Sequence, residues 1–258
     1  MTSPTRTPPL PPLFAVKKRD DLSSHLHRQL IGILGLALPP LIWIVAGLRP
    51  TLGLYTWENL DSVSAYYYSG AVSAFVGILF ALAVFLFTYR GYDNEDKRRD
   101  RWAASIAGLA AIGVAFFPTQ APEHVQAPLW WTPAMRTIHY ASAVTLFVSF
   151  IFFSLVLFPK ARPAKGKSLP SVKRRRNYIY RSCGAAMIAC ILWAGSAPFT
   201  GAPIFWPESL ALEFFAVSWL VKGHADWTAV NLGRRVLHYG RHPGQLAEVV
   251  RKAVRTRP

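Results

Sequence analysis

The chain has 258 residues, and 52% of them are hydrophobic, yet its net charge is +16. In a soluble protein, such an excess of Lys and Arg would suggest nucleic-acid binding. Here the basic residues follow the ends of long apolar runs, which is the pattern of a membrane protein and argues against a nucleic-acid partner.

The first 28 residues form a polar tail that is rich in proline near its beginning and basic near its end. It contains no apolar core of the kind found in a cleavable signal peptide. We therefore expect the first apolar run to be a retained helix, with residues 1–28 as a cytoplasmic tail.

Six apolar runs are each long enough to cross a hydrocarbon layer, which takes about 20 helical residues. They span residues 30–48, 68–89, 102–118, 137–158, 183–199 and 204–221. The sequence therefore predicts an all-α polytopic membrane protein with a six-helix transmembrane domain over residues 29–223. Residues 224–258 then form a second basic tail, in which residues 245–254 have the pattern of an amphipathic helix.

Lys and Arg are distributed unevenly between the connecting segments. All 29 of them except Arg49 and Arg136 lie before the first run, between runs two and three, between runs four and five, or after run six. Because segments rich in Lys and Arg stay in the cytoplasm, both termini are predicted to be cytoplasmic. The location that follows is a bacterial inner (cytoplasmic) membrane, crossed several times.

A row of small residues lies on one face of the second predicted helix: Ser69, Ser73, Gly77 and Ala81, each four positions apart. Such a row allows close helix approach. Tight packing inside the bundle is the expected role, with homodimerisation as the alternative. The cysteines Cys183 and Cys190 lie about 10 Å apart along one helix, so we expect both to be buried and reduced.

A group of polar residues is predicted at the non-cytoplasmic ends of helices two, four and six: Asp61, Ser64, Tyr66, His139, Glu208 and Glu213. Glu213 stands out because a carboxylate among apolar neighbours must be neutral, paired or in contact with water. His139 is its expected partner. This group is predicted to form either an outward-facing pocket for a lipid head group, small solute or proton, or an interhelical hydrogen-bond cluster.

Basic residues on the cytoplasmic side are predicted to face anionic lipid or acidic partners: Lys173, Arg174, Arg175, Arg176, Arg251 and Lys252. Lys222 is expected to extend toward the membrane interface at the end of helix six.

Several sequence patterns that indicate cofactors are missing. There is no phosphate-binding loop, no dinucleotide fingerprint and no zinc spacing of Cys and His. His139 and His224 lie near opposite ends of their helices, so they cannot form one haem pair. We therefore expect no cofactor and no metal.

Several short stretches resemble a group of bacterial six-helix membrane proteins grouped as a domain of unknown function. They begin at Ser62, Phe75, Tyr89, Phe116 and Ile138 and at Ser218, and the resemblance covers about residues 30–223. The layout is also distantly similar to DRAM/Sfk-like membrane proteins, which have six spans and a His early in helix four. That resemblance implies no agreed activity.

Three functions are compatible with these patterns. The leading one is a non-enzymatic membrane protein that binds lipid or protein partners, including a role as an accessory subunit of a larger membrane complex. A transporter using Glu213 and His139 is the alternative. A metal-dependent lipid hydrolase resembling alkaline ceramidases is the third, although Tyr66 or Tyr68 stands where that family has His.

Overall fold

The computed structural model describes residues 19–49, 57, 59–89, 91, 97–122, 125–160 and 171–224. This part of the chain contains α-helices and no strand, which confirms the all-α prediction. The helices are α1 (Arg19–Leu48), α2 (Val72–Thr88), α3 (Lys97–Phe116), α4 (Pro133–Phe152), α5 (Ser171–Thr200) and α6 (Phe205–Lys222). A 3-10 turn, Ser64–Tyr68, precedes α2, and a π-helical turn, Phe153–Leu157, continues α4.

Two helices begin well before their apolar runs. α1 starts at Arg19 and α5 starts at Ser171, so the first turns of both helices are polar and charged, with Arg and Asp in α1 and Lys and Arg in α5. Arg and Lys are good helix formers, which allows the backbone hydrogen bonds to continue outside the apolar segment. α2 instead starts later than its run, because the tyrosines at 66–68 form the 3-10 turn.

The six helices form a closed bundle in which chain neighbours are mostly neighbours in space. α1 packs against α2 and α6, α2 against α3, α3 against α4, and α5 against α6. α4 meets α5 both directly and through the π turn. Large aromatic side chains fill the interior; for example, Phe150 on α4 stacks on Phe215 on α6 with 3.6 Å between ring centroids.

Successive helices run in opposite directions, so each end of the bundle contains the starts of three helices and the ends of the other three. At the first, which we call the basic end, Gln29 near the start of α1 donates a 2.8 Å hydrogen bond to the carbonyl of Gly223 after α6. His27 lies 2.7 Å from the carbonyl oxygen of Phe85 near the end of α2. The starts of α1, α3 and α5 and the ends of α2, α4 and α6 lie here. The other end is called the opposite end.

The outer surface of the bundle is apolar on every helix. The exposed residues include Ile33 and Ile44 on α1, Val84 on α2, Ile106 and Leu109 on α3, Val144 and Val148 on α4, Leu192 on α5, and Leu210 and Val217 on α6. Three helical segments are long and apolar enough to cross a membrane: Ser24–Leu48, Pro133–Leu157 and Ser171–Thr200. They indicate a membrane protein.

The remaining helices differ from those three in length or charge. α2 has only 17 residues. α3 begins with a charged turn at residues 97–101, and α6 carries Glu208, Glu213 and Lys222 within its 18 residues.

Two of the four residues in the small-residue row, both on α2, do not pack inside the bundle. Ser73 and Gly77 are exposed, and a Cβ added to Gly77 would meet no atom within 4 Å. The buried face of α2 is formed by Phe75, Leu79, Leu82, Ala83 and Leu86 instead. The predicted packing role is therefore wrong for these two positions, because the larger apolar side chains gain more by burial. Cys183 and Cys190, in contrast, are buried and free as predicted.

Candidate functional site

Ser64 and His139 meet inside the opposite end of the bundle. His139 Nε2 lies 2.9 Å from Ser64 Oγ, and His139 Nδ1 lies 2.6 Å from the carbonyl oxygen of Phe117. Because a carbonyl can only accept, Nδ1 carries the hydrogen, and Nε2 of the neutral ring accepts a hydrogen bond from the Ser64 hydroxyl. The two bonds join the 3-10 turn, α4 and the residue that follows α3.

This pair has the geometry of a serine activated by a base, in which a hydroxyl donates to an oriented imidazole. However, His139 is 1% exposed and Ser64 is 8% exposed. A substrate therefore cannot reach Ser64 Oγ in this conformation. The arrangement acts as an interhelical cross-link, which is the second of the two roles expected for the polar group.

The tyrosines of the 3-10 turn fix the same end of the bundle. Tyr66 is fully buried, its ring lies 5.8 Å from that of Phe205, and its hydroxyl is hydrogen-bonded to the backbone of Leu60. Tyr68 donates a 2.6 Å hydrogen bond from its hydroxyl to the carbonyl of Thr119. These contacts tie the turn to α6 and to the chain after α3.

Asp61 and Glu208 belong to a reciprocal clamp between the 3-10 turn region and α6. The first N–H groups of a helix have no partner within it. Here the carbonyl oxygen of Asp61 accepts the N–H groups of Ile204 and Phe205, at 2.6 and 2.9 Å. In return, Glu208 Oε2 accepts the N–H of Val63 at 2.7 Å. Asp61 acts through its backbone, and its side chain is exposed.

The structure does not bring Glu213 to His139. Glu213 is partly exposed and lies on the outer stripe of α6 with Trp206, Leu210 and Val217. Both ring nitrogens of His139 are hydrogen-bonded to other groups. Among the residues that the structure describes, Glu213 has no hydrogen bond or ion pair.

The basic residues Lys173, Arg174, Arg175 and Arg176 lie in the first turns of α5 at the basic end. Arg174 and Arg175 are exposed, whereas Lys173 and Arg176 are half-buried. Lys173 Nζ donates a 3.1 Å hydrogen bond to the carbonyl of Phe158. The other two predicted contacts, Arg251 and Lys252, lie outside the described residues, as does the predicted amphipathic helix.

Two cations at the basic end are buried, which the sequence analysis missed. Arg28 is 3% exposed and Lys222 is 6% exposed. Lys222 does not extend outward as expected: its Nζ lies 4.9 Å from the ring centroid of Phe158 and 6.0 Å from that of Tyr180. Arg28 lies 5.8 Å from the ring of Tyr89. The sequence does contain a pattern that indicates this burial. Lys222 follows Trp219 by three positions and Phe215 by seven, which places its aliphatic stem on the same, core-facing side of α6.

The charges around Lys222 are mostly positive. Lys173, Arg28 and Arg176 all act on its ammonium group, and Asp100 is the one acid that does so within the described part of the chain. Asp100 is itself buried, at the start of α3. Burial of charge in a medium of low dielectric constant is costly unless opposite charge compensates it.

A scan against protein-family models and searches of curated proteins and of solved structures found no match to this chain. The resemblance to bacterial six-helix membrane proteins therefore stays a prediction.

Proposed function

We propose that this chain is a non-enzymatic, six-span integral membrane protein that binds anionic lipid at its basic end. The observation that carries the proposal is the unequal charge of the two ends. Five arginines are exposed in the first turns of α3 and α5 at the basic end, namely Arg98, Arg99, Arg101, Arg174 and Arg175, whereas the described part of the opposite end has Arg49 and Arg136. Anionic head groups attract such a basic surface by about 1 kcal/mol per Lys or Arg close to the membrane.

The outward faces of the shorter helices support six spans. Val84 on α2, Leu109 on α3 and Val217 on α6 are exposed apolar residues, although these helices are shorter or more charged than the other three. Exposure of these apolar surfaces to water would be unfavourable, whereas contact with lipid is not. With alternating helix directions, six spans leave both tails on the basic side, which is the cytoplasmic side of a bacterial inner membrane under the positive-inside rule.

Exposed aromatic residues lie near both ends of the bundle. Trp57, Trp130 and Trp206 are exposed at the opposite end, and Trp102 and Tyr178 are exposed at the basic end. Trp and Tyr favour the interface between hydrocarbon and water. Their positions are consistent with a bundle that crosses the whole bilayer.

The alternatives draw less support from the geometry. A transporter that uses Glu213 and His139 needs both residues on one path, but Glu213 lies on the outer face and His139 lies inside. A metal-dependent hydrolase needs a cluster of ligands, and the described residues include no group of three His, Cys, Asp or Glu placed to hold a metal.

The test is the lipid composition that the full chain retains. We would purify it gently, reconstitute it in nanodiscs of phosphatidylcholine mixed with phosphatidylglycerol, and identify bound lipid by native mass spectrometry. Anionic lipid should be enriched over the bulk mixture, and the double variant Arg174→Gln/Arg175→Gln should reduce the enrichment. Arg136→Gln, at the opposite end, is the matched control. Equal lipid retention in all three proteins would contradict the proposal.

A further inference from the structure

We infer that the outer stripe of α6 is a docking surface for a membrane-spanning helix of another protein, one that carries Lys or Arg near its middle. The stripe consists of Trp206, Leu210, Glu213 and Val217. This inference rests on the proposed six-span arrangement, because α6 has to cross the membrane for the stripe to meet such a helix. It does not depend on which lipid the basic end binds.

The first step is the position of Glu213 along α6. It lies near the middle of the helix, about 12 Å from Phe205 at one end and about 14 Å from Lys222 at the other. Leu210 and Val217, one turn to either side of it, are exposed apolar residues. In the six-span arrangement, the carboxylate therefore lies deep in the hydrocarbon layer, and a Glu side chain is too short to reach water from there.

The second step is the balance of charge around Glu213. An ionised carboxylate in hydrocarbon is costly unless an opposite charge accompanies it. Glu213 has no hydrogen bond or ion pair among the described residues. The flanking helices α1 and α5 carry no charged residue over 30–48 and 182–200, and Glu213 is the one charged residue of α6 over 209–221. A compensating cation at this depth would therefore come from outside the bundle.

The third step is the kind of partner that this charge selects. A Lys or Arg on a neighbouring helix would form a charge-assisted hydrogen bond with Glu213, and the low dielectric constant of the membrane strengthens their attraction. Leu210 and Val217 would pack around that bond against apolar residues of the same helix. A second copy of this chain fits less well. It would have the same orientation in the membrane, so a two-fold pair would bring one Glu213 carboxylate against the other, and like charges repel.

The probe for this surface is a synthetic helix of about 20 Leu and Ala residues, which is long enough to cross a bilayer. One peptide has Lys at its centre, and the control peptide has Leu there. The central residue lies at the same depth whichever way the peptide inserts, so both orientations can present the Lys side chain to Glu213.

The readout is energy transfer between the full chain and the peptide in phosphatidylcholine vesicles, as the fraction of peptide is raised. The chain carries the donor fluorophore on the variant Ala202→Cys, at an exposed position before α6. Both natural cysteines are buried, so they should remain unlabelled. We expect the Lys peptide to associate with the chain about tenfold more tightly than the Leu peptide does.

Two variants on the same helix test whether Glu213 causes the preference. Glu213→Leu should remove it without disturbing the fold, because this side chain has no hydrogen bond or ion pair within the described part of the chain. Glu208→Gln is the matched control. It neutralises an acid that is bonded to the backbone of Val63 instead of lying on the outer stripe, so the preference for the Lys peptide should remain.

Equal association of the two peptides with the natural chain overturns the inference, and so does an undiminished preference in Glu213→Leu. Energy transfer between labelled copies of the chain that is lost in Glu213→Leu would identify a second copy as the occupant, and it also overturns the inference. A membrane-impermeant thiol reagent separates this failure from that of the six-span arrangement. If the thiol of Glu213→Cys reacts, the stripe lies in water and both fail, whereas an unreactive thiol with equal peptide binding refutes the docking surface alone.

Discussion

The carboxylate of Glu208 accepts a hydrogen bond from the backbone N–H of Val63, a residue that is almost fully buried. Glu208→Ala would leave that donor without an acceptor, and such a loss costs about 1–3 kcal/mol. We expect a lower Tm for this variant in nanodiscs. Glu208→Gln keeps an amide oxygen at the same place and should lose much less.

Glu213→Ala is the matched comparison on the same helix. This residue lies on the outer stripe of α6 among apolar residues, so removal of its carboxylate breaks no hydrogen bond within the described chain. We expect its Tm to equal or exceed that of the natural chain. A larger loss for Glu213→Ala than for Glu208→Ala would show that the clamp at the start of α6 contributes little.

The buried bond between Ser64 and His139 should appear as coupling between two substitutions. Ser64→Ala and His139→Ala each remove one partner of the 2.9 Å contact. Because the second substitution then removes a group already left unpaired, the double variant should lose less stability than the two single variants together, by about 0.5–3 kcal/mol. The free energy of unfolding in denaturant, measured for the natural chain, the two single variants and the double variant, gives this difference. Ser73→Ala, at an exposed position, is the control and should add independently to His139→Ala.

The sequence allowed the depth of these residues along their helices to be predicted, but not the direction in which they point. Glu208 and Glu213 are five positions apart, which turns them about 140° from each other around an α-helix. One therefore meets the loop before α2 and the other faces outward. Burial of Arg28 and Lys222 was missed for a related reason: a basic residue at a helix end usually reaches water, and only its neighbours across the bundle decide otherwise.

At the scale of the elements, the junction between α1 and α2 depends on a close backbone contact. A Cβ added to Gly70 would overlap the carbonyl oxygen of Arg49, which follows α1 and cannot rotate away as a side chain would. We expect Gly70→Ala to lower the free energy of unfolding of the full chain by about 1–3 kcal/mol, the usual cost of overpacking. The Tm should fall accordingly.

Gly77→Ala provides the control within the same region. Position 77 lies inside α2, where an added Cβ meets no atom within 4 Å and Ala is a better helix former than Gly by about 1 kcal/mol. This variant should be as stable as the natural chain or more stable. If both substitutions had the same effect, the backbone contact at Gly70 would not hold the junction.

The existence and order of all six helices could be predicted from the apolar runs, because apolar residues concentrate wherever a segment is surrounded by lipid or core. Their ends could not. The charged first turns of α1 and α5 lack the pattern that marks a buried helix, and the tyrosines before α2 form a 3-10 turn because their side chains bond across the bundle. These choices depend on tertiary contacts that a single segment does not encode.

At the scale of the whole molecule, the distribution of Lys and Arg agrees with the packing of the helices. The segments rich in Lys and Arg alternate with pairs of apolar runs, and the structure places their described parts at one end of a closed bundle. Since α1 starts and α6 ends there, an even number of membrane crossings would put both tails on one side.

That arrangement predicts which positions a membrane-impermeant thiol reagent can reach in intact cells. Both natural cysteines are buried, so the background should be low. Trp130→Cys and Ala202→Cys lie at the opposite end and should be labelled from outside, whereas Arg175→Cys at the basic end should be labelled only after the cells are opened. Six spans require positions 130 and 202 to behave alike, because two crossings, α4 with α5, separate them. Labelling of one but not the other would mean that one of these helices does not cross the membrane, and labelling of Arg175→Cys in intact cells would reverse the orientation.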